Sequence, residues 1–126
     1  MVGESAVPGL LQGGGMSMKR VPKAWMRGAG PLAVLKLLEE REMYGYELAE
    51  ALDRASDGVL ALGHSTLYPL LYNLESKGLV RQRSPRTAGG RTRKYYAVTA
   101  EGRRWLRKHE EEWAGLVEAM AKLGLT

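Results

Sequence analysis

Leu67, Leu70, Leu71 and Leu74 stand at the i, i+3, i+4, i+7 spacing of a single helix face, and Gly78 closes the run. A short helix with a fully apolar stripe must bury that stripe against other elements, so this segment restricts the fold more than any other. Ser65 is expected as its N-cap and Gly78 as its left-handed C-cap, which gives a helix over about 66–77. Pro69 falls in the first turn, where a missing N–H does little harm.

The elements that could cover this stripe are legible on both sides. Leu32, Leu35 and Leu38, with Ala33, Val34 and Leu37, predict a largely buried helix over 31–42. Leu48, Ala49 and Leu52 share one face of a second helix over about 46–56, ended by Asp57-Gly58. The apolar run Val59 to Leu62, between Gly58 and Gly63, predicts a small strand. Beyond Gly78, strand-like runs at 79–84 and 93–98 flank residues 85–92, which predicts a β-hairpin with a long, basic, glycine-containing tip. Thr99 is expected to cap a last helix over 100–123, with Glu101 in the turn where the macrodipole favours an acid. The fold class is therefore mainly α with a small β-hairpin. Residues 1–22, with Gly3, Gly9 and Gly13-Gly14-Gly15, read as a flexible leader. Residues 23–98 form the helix–turn–helix and hairpin, and 99–126 a C-terminal helix for self-association.

Composition removes most chemistries. The 126 residues contain no Cys, which excludes disulfides, thiolate metal sites and a cysteine nucleophile. His64 and His109 are the only imidazoles, and no carboxylate cluster accompanies them, so no metal site is expected. No nucleophile–base pair is placed, and Gly13-Gly14-Gly15 follows no strand, so neither an enzyme nor a cofactor is expected. No apolar run approaches the roughly 20 residues that span a bilayer, and no secretory signal stands out, which favours a cytoplasmic protein.

The net charge of +5 points to a polyanionic partner, and its distribution is more telling. From Val80 to Val98 there is no Asp or Glu, while Arg81, Arg83, Arg86, Arg91, Arg93 and Lys94 all fall there. These bases lie on a hairpin and not on an amphipathic helix, which favours nucleic acid over a membrane surface. A helix the length of the third fits the major groove of double-stranded DNA. With its leucines inward, a 100° step turns Ser65, Pro69, Tyr72 and Ser76 outward, with Thr66, Tyr68 and Asn73 on the flanks. Ser65, Thr66, Tyr68, Pro69, Tyr72, Asn73 and Lys77 are thus candidate DNA contacts of the helix, and Arg86, Arg91, Arg93 and Lys94 those of the hairpin.

On the last helix Leu106, His109, Trp113, Leu116, Met120 and Leu123 follow an a/d seam, which Trp105 and Val117 widen. Nothing else in the chain is left to cover so long a stripe, which predicts a homodimer. A protein-interaction module, its basic hairpin docking acidic peptides, is the alternative reading. Salt-sensitive binding to a short palindromic duplex separates the two.

Tyr44-Gly45-Tyr46-Glu47-Leu48, the run from Ser65 to Glu75, Lys77-Gly78-Leu79-Val80, Gly90 to Tyr96 and Thr99-Ala100-Glu101-Gly102 together resemble the PadR family of bacterial transcriptional regulators. The likeness extends from about Pro31 to Leu123, and one long helix after the hairpin resembles the short subfamily. It implies a winged helix–turn–helix domain, dimerised through the last helix with the first, that represses from an inverted-repeat operator. It also implies a role for Trp113, fourteen residues after Thr99, in stacking on flat aromatic ligands between subunits. Tyr72 and Ser65 depart from the family's usual basic or small residue and Gly at those places, which puts base preference in question. The glycine-rich leader has no counterpart in the family.

Overall fold

The computed structural model describes residues 22–83, 85–88 and 90–126. The expected leader therefore lies outside the described residues except for Pro22, and so do the side chains of Arg86 and Arg91. The first helix, α1 (Lys23–Glu40), begins well before position 31 and carries Pro31 in its interior. Proline forgoes one backbone bond there. The extra turns nevertheless bury Met26, and Gly30 packs against Leu70, whose terminal methyl would have to shift to admit a Cβ.

Strand β1 (Met43–Tyr44) leads directly into α2 (Gly45–Ala55), whose Leu48 and Leu52 are buried. The strand expected at 59–62 does not form. Asp57 and Gly58 both adopt positive φ and reverse the chain. The Ser56 hydroxyl then donates to the Leu52 carbonyl and accepts from the Leu60 N–H, so the segment is held as a turn.

Helix α3 (His64–Ser76) starts one residue before the expected cap. Gly63 takes the N-cap position, and Ser65 sits exposed inside the first turn. Its C-terminus is as expected: Gly78, at φ 77°, closes a Schellman motif in which the Gly78 and Leu79 N–H groups reach the Glu75 and Leu74 carbonyls. Leu67, Leu71, Leu74 and Leu79 are all buried, so the cap is packed as well as hydrogen-bonded.

Strands β2 (Val80–Gln82), β3 (Arg86–Ala88), β4 (Arg91–Arg93) and β5 (Tyr95–Val98) follow. β5 is the centre of a three-stranded antiparallel sheet, with Val80 opposite Val98 on one side and Met43 opposite Tyr96 on the other. The segment expected as a loop is instead a two-stranded ribbon of β3 and β4, Arg86 opposite Arg93 and Ala88 opposite Arg91. The Thr87 and Thr92 hydroxyls meet across it at 3.3 Å. Such a cross-strand hydroxyl pair, exposed on both strands, suits a solvated face of the ribbon.

Helix α4 (Ala100–Lys122) is capped as expected: the Thr99 hydroxyl accepts from the Gly102 N–H. The same hydroxyl donates to the Gly78 carbonyl at 2.7 Å, and the Thr99 N–H donates to the Leu79 carbonyl. One residue thus ties the end of α3 to the start of α4. Lys36–Glu110, Arg107–Glu39 and Arg103–Glu39 ion pairs bind the first half of α4 to α1. The hydrogen bond from Lys36, aided by the Arg107 charge, holds the Glu110 carboxyl below its usual range. Each exposed pair contributes little alone. Together they clamp the first half of α4 to α1.

Candidate nucleic-acid interface

The buried leucines of α3 fix which of its residues face outward. Ser65, Tyr68, Pro69, Tyr72, Asn73 and Lys77 are exposed, and Thr66 is half-buried. Tyr72 is 71% exposed, so it projects freely from the helix. Tyr68 does not: its hydroxyl lies against Gly45, where a Cβ would coincide with it. The structure therefore separates two tyrosines that the sequence places together, one reaching outward and one wedged between α2 and α3.

The wing brings Arg93 and Lys94 to the same side. The Arg93 guanidinium lies 4.5 Å from the Tyr44 ring centroid, a cation–π contact that pre-orients it, and Tyr44 meets Tyr95 edge to face. Lys94 is exposed. Arg83 pairs with Glu42 at 3.6 Å, so part of its charge is spent within the domain.

Two residues join this face that periodicity does not single out. Tyr46 in the first turn of α2 and His64 at the start of α3 form a row of rings with Tyr68, at centroid distances of 5.8 and 5.6 Å. The row borders a cleft of about 660 Å³ whose other wall is Thr92, Arg93 and Lys94. Tyr96 lines it too, its phenol pushed above its ordinary value by burial and by Glu75 and Tyr68, so it remains a neutral hydroxyl. The Tyr44-Gly45-Tyr46 string was the available signal, but spacing alone cannot bring it beside the wing.

The seam of α4 divides in two. Leu106, which the seam places with the self-association residues, is fully buried in the chain's own core and anchors the helix there. His109 stacks on Trp105 at 3.7 Å, with Nδ1 2.9 Å from the Trp105 carbonyl, and is half-buried. Beyond Glu110 every residue is exposed, including Trp113 at 47%, Leu116, Val117 and Met120 on the helix and Leu123 at its C-cap. Among the described residues no group of three or more His, Cys, Asp or Glu could hold a metal ion. No described helix is long and apolar enough to cross a membrane.

Comparison with known proteins places this arrangement. The model of the Transcriptional regulator PadR-like family matches residues 34–108. A PadR family transcriptional regulator from Eggerthella lenta is 33% identical, with a TM-score of 0.68 over 95% of this chain and 93% of that one. A transcriptional regulator from Clostridium thermocellum reaches a TM-score of 0.72 at 27% identity, over 79% of this chain and 96% of that one. The Escherichia coli transcriptional regulator YqjI is 30% identical over 81 residues, 64% of this chain but only 37% of that protein, so the chain spans little more than a third of YqjI. Helix–turn–helix, wing and long last helix agree with the family in order and in space, and this chain belongs to the PadR-like family of DNA-binding transcriptional regulators.

Proposed function

We propose that the chain acts as a homodimeric repressor that occupies an inverted-repeat operator and is released by a flat aromatic ligand. One observation carries the dimer: the second half of α4 holds an exposed apolar stripe, Trp113 to Leu123, on a helix whose first half is clamped to α1. Such a contiguous patch is rare on a free monomer. Two-fold pairing through it would set two copies of α3 on one duplex, and a two-fold protein matches a palindromic site.

Ser65, Thr66, Tyr72 and Asn73 are the proposed base readers, and Arg86, Arg91, Arg93, Lys94 and Lys77 the proposed phosphate contacts. Titration of a duplex selected for binding, and of its scrambled form, over a range of salt tests this division. Lys94→Ala should weaken both duplexes alike and flatten the slope of log K against log salt by about 0.9 for each phosphate left without its cation. Tyr72→Ala should change the preference between duplexes and leave the slope. Identical behaviour of the two variants would overturn the assignment.

Trp113 opens the exposed stripe, so two-fold pairing through that stripe would bring both copies into one interface. Ring faces held apart there would stack a planar guest, at about 0.5–1.5 kcal/mol per ring beyond area burial. Tryptophan fluorescence titrated with a planar aromatic cation should show saturable quenching that Trp113→Ala abolishes, against the constant background of Trp25 and Trp105. Quenching that persists in the variant would place the guest elsewhere.

A further inference from the structure

The cleft between α2, α3 and the wing has a composition that base reading leaves unexplained. Tyr46 is 54% exposed and Tyr68 42%, and the His64 ring stands edge-on between them. Three rings in a row, open to solvent, present apolar faces and polar tips side by side. The opposite wall carries Arg93 and Lys94, and among the described residues no Asp or Glu lines the cleft. Tyr68 is wedged against Gly45, so it serves as a wall and its hydroxyl is not free to scan base edges.

The chemistry that matches such a site is a sugar–phosphate strand. Deoxyribose is apolar on its C–H faces and packs on aromatic rings. Phosphate oxygens accept from phenol hydroxyls, ring N–H groups and guanidinium. We propose that the cleft seats one backbone strand of the bound duplex, with the Tyr46 hydroxyl and a His64 ring nitrogen donating to a phosphate that Arg93 neutralises from across the cleft. This rests on the DNA-binding reading above and adds a specific grip to it. Arg93 is already oriented by the Tyr44 ring, so little side-chain freedom is lost on binding. The seat lies between the recognition helix and the wing, so it fixes how far Tyr72 enters the groove. It contributes equally on every sequence.

Fluorescence anisotropy with two labelled duplexes, one selected for binding and one scrambled, tests the seat with Tyr46→Phe and His64→Ala. Both residues are exposed, and Tyr46→Phe keeps the ring row intact, so the fold is retained; thermal melts verify it. Each variant should weaken both duplexes by the same factor, about tenfold or more for each protomer's lost contact, the size expected for a hydrogen bond to a charged acceptor. The ratio between duplexes should not change. Replacing single phosphates by neutral methylphosphonate should locate one position where the wild type loses affinity and Tyr46→Phe loses measurably less, the remainder being the share of Arg93 and His64. Variants that bind both duplexes like the wild type would overturn the seat and leave DNA binding standing. A loss confined to the selected duplex would make the residues base readers and also overturn it. A wild type that bound neither duplex would sink the parent reading, and the seat with it.

Discussion

Gly102→Ala is expected to destabilise the domain by about 3 kcal/mol, lowering the melting temperature by roughly 15 °C. Gly102 is buried in the first turn of α4, and a Cβ built there would overlap the Leu79 carbonyl oxygen and press on Val98. A side chain could rotate away, but this obstacle is backbone. The Leu79 carbonyl accepts from the Thr99 N–H, and the Leu79 N–H completes the cap of α3. Leu79 itself is buried, so neither end of the residue is free to move. Relief would require lifting α4 off the base of the hairpin, at the cost of the Thr99 hydrogen bonds to Gly78 and Gly102. Gly115→Ala is the control. Nothing lies within 4 Å of its added Cβ, and the intrinsic helix preference favours alanine by about 1 kcal/mol. Circular dichroism melts of the two variants should therefore move in opposite directions. A Gly102→Ala protein melting with the wild type would mean that α4 slides freely along the sheet, contrary to the double hydrogen bonding of Thr99.

The same junction shows which parts of the fold were legible in the sequence. Helix α3 was readable because its leucines must repeat at helical spacing to reach the core, and Gly78 because only a left-handed cap fits there. Thr99 was readable because capping is local chemistry. Strand β1 was not: two residues show no alternation, and Met43-Tyr44 becomes a strand only by pairing with β5. The Val59 to Leu62 run misled for the opposite reason, since its apolar residues suit a strand but Ser56 and the positive φ angles of Asp57 and Gly58 hold a turn. The early start of α1 was hidden by Pro31, which normally marks a boundary. In the interface, outward-facing Tyr72 followed from the helical step. The placement of Tyr46 and His64 beside Arg93 depends on tertiary packing between α2 and the wing, which no local spacing encodes. Leu106 continued the seam in sequence, yet the seam crosses from the chain's core to open surface within two turns of that position.

Leu116→Glu combined with Met120→Glu is expected to convert a dimer into a monomer and to weaken operator binding by about a hundredfold or more. Both positions lie on the exposed stripe of α4, where neither touches the protomer's core, so the charges should leave the wing and helix–turn–helix folded. In a two-fold interface each substituted residue would meet its own symmetry-related patch, and four added carboxylates would be buried together. Desolvating like charges without partners costs several kcal/mol, more than a modest helix–helix contact supplies. The loss of DNA affinity follows from geometry. When two recognition helices are linked, the second half-site binds as an intramolecular event, a gain of roughly 10²–10⁴ that separate protomers forgo. Glu111→Lys, on the opposite side of the helix, changes charge without touching the stripe and should alter neither mass nor cooperativity. Sedimentation equilibrium at micromolar concentration, with anisotropy on a full inverted repeat and on one half-site, reads both effects. The wild type should show twice the chain mass and strong preference for the full repeat. The double variant should show the chain mass and bind the repeat no better than two independent half-sites. A wild type that sediments as a monomer, or a double variant that remains dimeric, would remove α4 as the interface and the inverted-repeat operator with it.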